Sequence, residues 1–219
     1  MQPSQTVTRR EFVRAAASFA VVSSLAGTAG CSTGTRSRPQ TADTPSATYG
    51  GSKKMSKRIL VGYATRKGST IGVAEAIGAT LGSRGFSVDV KPLADNPTLV
   101  GYDAAVIGSA VNGAKWLPEA VGFVKANRKP LGSLPLAVFC VHAMNCGWDV
   151  KETTKRQAYI DEVRALVHAS HEAYFAGRGP TAQDTSALML WLYRTFGGDI
   201  EGDGRDWNAI RAWARELAV

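Results

Sequence analysis

From Ile59 onward, short apolar runs take turns with longer segments whose apolar residues recur every three or four positions. Ile59–Ala64 is an unbroken apolar run, the pattern of a strand buried on both faces. Ser69–Arg84 carries Ile71, Ala74, Ile77 and Leu81 at helical spacing, with Gly78 inside it at a cost of about 1 kcal/mol against alanine. That glycine is expected where the helix packs closely on a sheet. Phe86–Val90 alternates as a strand with one exposed face, and Asp103–Ser109 is a third strand; the link between them has room for a turn or two of helix. Pro118–Asn127 predicts a helix with Pro118 in its first turn and Ala120, Val121, Phe123 and Val124 on its buried side. Leu134–Val141 is the fourth strand. Lys151–Ala169 predicts a helix with Tyr159, Ile160, Val163, Leu166 and Val167 on its apolar side, and Glu172–Gly177 is the fifth strand. Asp206 is placed to cap a last helix lined by Trp207, Ile210, Trp213 and Leu217.

Five strands joined by mostly helical crossovers predict a doubly wound α/β fold, a five-stranded parallel sheet with helices on both faces, in one domain over residues 57–219. Ligands of such sheets bind beyond the carboxyl ends of the strands. Three loops leave those ends: Thr65–Thr70, Ser109–Lys115 and His142–Trp148.

The segment before the domain follows a different pattern. "TRREFVR" resembles the twin-arginine export signal; Ala15–Gly27 is apolar but too short to span a bilayer, which takes about 20 residues. "TAGC" resembles a lipobox that would lipidate Cys31, with Thr28 where leucine is usual. Residues 1–31 are therefore expected to export the chain and anchor it to the membrane, by lipid or as an uncleaved N-terminal segment. Residues 32–56, rich in Ser, Thr, Pro and Gly, read as a flexible tether. Translation from Met55 would instead give a cytoplasmic protein.

The loop "ATRKGST" breaks off the first strand and opens a helix. Backbone N–H groups at a helix start lack intrahelical partners and favour an anion. Gly68 permits close backbone approach, Thr65, Ser69 and Thr70 bring hydroxyls, and Arg66 and Lys67 bring positive charge. The spacing fails both the nucleotide-triphosphatase loop and the three-glycine dinucleotide fingerprint, so a single phosphate is the natural ligand.

Charge and cysteine content narrow the classes. The net charge is +8; residues 1–31 hold three of the basic side chains and one acidic, so the remainder keeps +6. This points to an anionic partner or membrane surface. No basic run interleaves with aromatics, which argues against nucleic acid. Cys31, Cys140 and Cys146 make no disulfide framework. Cys140 reads as a small apolar strand residue, a Cys140–Cys146 pair is compatible with export, and "CVHAMNC" lacks a fourth metal ligand. The first strand ends in Tyr63-Ala64-Thr65 without the acidic cluster of a phosphoacceptor domain.

With the loop in this position, the sequence resembles the flavodoxin family: Thr65, Gly68 and Thr70 match its Ser/Thr-x-Thr-Gly-x-Thr phosphate loop, and Lys67 stands where the middle threonine is usual. "YATRKGST", "IGSAVNGAKWLPEAVGFVKANR" and "LMLWLYRTFGGD…RDWNAIRAWAREL" are similar to the flavodoxin-like menaquinone-dependent protoporphyrinogen IX dehydrogenases. The resemblance implies FMN held by Thr65, Arg66, Lys67, Gly68, Ser69 and Thr70 at its phosphate. Ser109, Ala110, Val111, Asn112 and Gly113, with His142, Asn145 and Trp148, would flank the isoalloxazine ring, which Trp116 or Trp148 would cover. It implies electron exchange with a quinone or a redox protein, against a plain electron carrier or a flavin-free binding module on the same fold. Asn112-Gly113 would permit a peptide that reorients with redox state. "ALMLWLYRTF", Ala187–Phe196, reads as a core-facing segment, or else as an apolar surface, with Arg194 at its rim, for a membrane or an apolar substrate.

Overall fold

The structure, a computed structural model, describes residues 44–50, 56–147, 149–183, 185–195, 198 and 200–219. The export-signal segment, Cys31, Trp148 and Phe196 lie outside the described residues. The strands are β1 (Ala47–Tyr49), β2 (Arg58–Ala64), β3 (Ser87–Pro92), β4 (Ala104–Asn112), β5 (Lys115–Trp116), β6 (Leu136–His142) and β7 (His171–Ala176). The helices are α1 (Ser69–Ser83), α2 (Pro118–Ala126), α3 (Arg128–Gly132), α4 (Val150–Gln157), α5 (Asp161–Arg164), α6 (Ala187–Thr195) and α7 (Trp207–Glu216).

The parallel strands lie in the order β3-β2-β4-β6-β7, with β1 antiparallel outside β3 and β5 folded back on β4. This is an α/β flavodoxin-like sheet, whose order reverses between β2 and β4 and so opens a crevice at their carboxyl ends. Both faces of the central strands are covered. Ile59, Val61 and Tyr63 point to one side, against Val73, Ala74, Ile77 and Leu81 of α1 and Ile210, Ala214 and Leu217 of α7. Leu60, Ala105, Ile107 and Cys140 point to the other, against Ala120, Phe123 and Val124 of α2 and Ile160 and Val163 beyond α4. Each large apolar side chain buried this way contributes about 1.5–3 kcal/mol, so the central strands anchor the fold.

The five expected strands form within three residues of their sequence boundaries, and α1, α2 and α7 form as expected, with Pro118 in the first turn of α2. Asp206 caps α7, accepting from the N–H groups of Asn208 and Ala209 at 2.9 Å. Three findings differ from the sequence expectation. First, Ala47–Tyr49 is no tether. Its register is Ala47↔Val90, Thr48↔Asp89 and Tyr49↔Val88. Gly78 and Gly82, one turn apart on α1, make the space: a Cβ would stand 2.6 Å from Val90 and 3.0 Å from the Tyr49 ring at Gly78, and 2.9 Å from Tyr49 Cβ at Gly82. Second, the expected helix over 151–169 breaks at a 3-10 turn, Ala158–Ile160. α4 buries no residue, whereas this turn sends both Tyr159 and Ile160 inward. Third, α6 fully buries only Leu190, leaving Leu188, Met189 and Trp191 65%, 56% and 59% exposed. The core-facing reading of this segment is overturned. Among the described residues no helix is long and apolar enough to cross a membrane.

Candidate functional site

The phosphate-type loop begins where β2 ends. Gly68 takes φ 84°, a left-handed conformation that favours glycine, and α1 starts there with no side-chain cap. Thr65 is buried, and its Oγ1 accepts the Gly68 N–H at 3.0 Å, which staples the turn. Thr70, fully buried in the first turn, has no hydrogen-bond partner for Oγ1. A buried, unsatisfied hydroxyl costs about 1–3 kcal/mol. At an uncapped helix start, that cost is relieved by an acceptor arriving from outside. Arg66 and Lys67 are exposed.

Arg66, Lys67 and Ser69 line a recess of about 250 Å³ together with Ala110, Val111, Asn112, His142 and Arg178. The recess runs on into a wider cleft of about 950 Å³, and the two share Lys67, Val111, Asn112, His142, Ala143 and Arg178 as walls. Among the described residues no carboxylate lines either part, and three cations do. Such size and a mixed apolar and polar lining suit a cofactor-sized anionic ligand.

The β4–β5 hairpin forms one wall. Asn112↔Lys115 closes a two-residue turn in which Gly113 and Ala114 both have positive φ, 60° and 61°. The β6 loop forms the other. The His142 imidazole is buried and donates from Nδ1 to the Met144 carbonyl (2.9 Å), with Cys146 Sγ 3.4 Å from the same nitrogen. The Asn145 amide bonds the Tyr159 hydroxyl, and Arg156 donates to the Asn145 and Gly147 carbonyls, both at 2.8 Å. Burial holds the Tyr159 phenol above its ordinary pKa, so it stays protonated. From the far side, the Tyr193 hydroxyl of α6 lies 2.6 Å from the Ala143 carbonyl. The loop is thus braced by three side chains from elsewhere in the chain, which favours a fixed binding geometry.

Most of the candidate residues converge here, and some do not. Ala110, Val111, Asn112, Gly113, His142 and Asn145 line the recess or cleft, as do Arg66, Lys67 and Ser69. Thr65, Gly68 and Thr70 shape the loop behind those walls. The Ser109 side chain is fully buried, its Oγ accepting the Leu117 N–H (3.0 Å) and donating to the Ala110 carbonyl (2.8 Å), and Ser109 is not among the walls of the recess or cleft. Trp116 is not among them either. It is 4% exposed in the core beside Leu117, not over the cleft. Trp148 is outside the described residues. Cys140 packs in the core, where burial pushes its thiol pKa well up, and Cys140 and Cys146 are not joined in a disulfide. Arg178 lines the cleft but escaped the sequence reading, since it follows the fifth strand in a segment without motif or period; Met189 and Tyr193 line it too, from the Ala187–Phe196 segment that the sequence offered as a core face or an apolar surface.

The profile of the flavodoxin domain family matches residues 60–183, more than half of the chain, and the chain belongs to that family. No curated protein matches it. Among solved structures, a Streptococcus pneumoniae flavodoxin is 16% identical, with a TM-score of 0.46 over 74% of this chain and 97% of the other. A flavo di-iron protein variant from Thermotoga maritima is 13% identical, with a TM-score of 0.45 over 74% of this chain and 36% of the other. A Fusobacterium nucleatum flavodoxin variant bound to flavin mononucleotide is 11% identical, with a TM-score of 0.38 over 55% and 69%.

Proposed function

We propose that this protein binds one FMN in the cleft and works as a redox protein. The observation that carries the reading is the buried, unpartnered Thr70 hydroxyl in an uncapped helix start, at the first-strand loop of a flavodoxin-family chain. Gly68, Ser69 and Thr70, with Arg66 and Lys67 nearby, would hold the phosphate. The Ala110–Gly113 hairpin and the His142–Asn145 loop would flank the ring. When bound, FMN supplies the electron chemistry, and the protein sets orientation and solvent access. Here the Arg156, Tyr159 and Tyr193 bonds fix one wall, and His142 keeps its proton on Nδ1 through the Met144 carbonyl.

The electron partner in this reading is a quinone or a redox protein, and the finer reading is a quinone-linked dehydrogenase of the protoporphyrinogen type. The chain would work on the outer face of a membrane after twin-arginine export, a route that carries folded, cofactor-loaded proteins. Cys31 would be one anchor and the exposed face of α6 another. Support for the second is the apolar side chains Leu188, Met189 and Trp191 on the helix that also closes the cleft.

The test is to add FMN to the purified full chain and record visible absorption and stoichiometry. The expected result is about one FMN per chain, with affinity falling about 100-fold or more in Gly68→Asp, because a carboxylate at the anion site repels the phosphate. A colourless protein that takes up no flavin overturns the reading and leaves a binding module. Quinone-dependent turnover with catalytic protein would favour the dehydrogenase; electron transfer to a protein alone would favour the carrier.

A further inference from the structure

Residues 203–207, at the start of α7, lie beyond the family match, which ends at residue 183, yet they reach back to the phosphate loop. Arg205 Nη1 donates to the Ser69 carbonyl at 3.3 Å. Its Nε and Nη2 hold both oxygens of Asp203 at 2.8 and 2.6 Å, and its guanidinium lies 4.5 Å over the Trp207 ring. Gly72 leaves the room: a Cβ there would meet Arg205 Nη1 at 3.0 Å and the Trp207 ring at 3.2 Å. The same stretch is tied to the end of β7, through Gly204 N–H to the Gly177 carbonyl (3.0 Å) and Gly179 N–H to the Gly202 carbonyl (2.9 Å). Ser69 and Gly177 both line the recess. A planar cation held by a two-point carboxylate and a ring face has little freedom left, so the carbonyl it grips is held as well.

We propose that Arg205 is a positioning residue for the phosphate end of the site: it fixes the first turn of α1, whose N–H groups face the anion, so that affinity depends on the phosphate of the flavin. This rests on the reading of the recess as the FMN phosphate site. An arginine acting only as a brace for α7 would influence phosphate-free flavin just as much.

The experiment measures dissociation constants of FMN and of riboflavin for the full chain, the Arg205→Met variant and the Arg205→Lys variant. It also follows hydrogen exchange at the amides of residues 69–71 without flavin. In Arg205→Met, FMN affinity should fall about 10-fold, the scale of one charge-assisted hydrogen bond, while riboflavin affinity changes less than about 2-fold. Arg205→Lys should recover part of the FMN affinity, and exchange at 69–71 should quicken in both variants. Asp203→Asn, at a half-exposed position, keeps the arginine and loosens it; exchange at 69–71 should quicken there as well, and unchanged exchange overturns the positioning role if Arg205→Met does not fold. Equal losses for both flavins, or an unchanged ratio in every variant, overturn the proposal while FMN binding stands. A wild-type chain that binds no FMN removes both readings.

Discussion

Ala114 holds a backbone conformation that suits glycine. At φ 61° on the exposed tip of the β4–β5 hairpin, its Cβ crowds the following carbonyl, at about 1–2 kcal/mol. Ala114→Gly relieves that strain but gives the unfolded chain more freedom, so a net gain of about 0.5 kcal/mol is expected, read as a higher urea midpoint at unchanged slope. A lower midpoint would show that the tip is held by contacts of the methyl group. Residue-scale chemistry was legible in part. The hydroxyls and cations of the Thr65–Thr70 loop announced an anion site because their types and order carry the chemistry. How the Ser109 and Trp116 side chains face was not legible, because residue type carries no side-chain direction. In β4, Ser109 sits with its hydroxyl against the Leu117 amide, and Trp116 follows the β5 hairpin inward.

Between elements, close fits decide what is tolerated. A Cβ on Gly108 in β4 would stand 2.1–2.4 Å from the Phe139 ring of β6. Gly108→Ala should therefore lower stability by about 2–3 kcal/mol, and Phe139→Leu should return part of it, a coupling above about 1 kcal/mol in a double-mutant cycle. Additive effects would mean that the ring simply turns aside. On α6, Leu188→Ser with Trp191→Ser should reduce retention of the full chain on anionic vesicles several-fold, with stability changed by no more than about 0.5 kcal/mol, since both side chains are exposed. Unchanged retention would leave the N-terminal segment as the sole anchor. Central strands were legible because burial on both faces writes an unbroken apolar run. β1 and β5 were not, because two or three residues hold no period, and α6 has an apolar composition that fits a core face and a surface face equally well.

Across the molecule, ion pairs link the sheet to its surroundings and set its response to acid. Hydrogen bonds from Tyr102, Thr48 and Arg58 hold the Asp89 carboxyl below its ordinary pKa, outweighing burial. The Arg164 hydrogen bond does the same for Glu172, and Arg205 brings Asp203 down to about 2. A depressed carboxylate stabilises the fold above its unfolded pKa of about 4 and loses that contribution as pH falls toward its folded value. Stability should be level from pH 8 to 5 with respect to these three groups and decline from pH 4 to 2, more gently in 0.5 M salt because the pairs are partly exposed. A midpoint that holds steady down to pH 2 would contradict this. The doubly wound order was legible from the succession of strands and crossovers. The reach of residues 203–207 back to the first loop was not, because contacts so distant in the chain leave no periodic trace.

The three residues of β1 also give the choice of start codon a physical price. A chain begun at Met55 lacks Tyr49, which fills the notch over Gly78 and Gly82, and Pro45, whose carbonyl takes the Tyr63 hydroxyl at 2.6 Å. It would leave the outer backbone row of β3 open along Val88–Val90, a template for strand addition by another copy. The short form is therefore expected to self-associate where the long form stays dispersed, so that the cell's reading of the message would govern colloidal behaviour as well as destination.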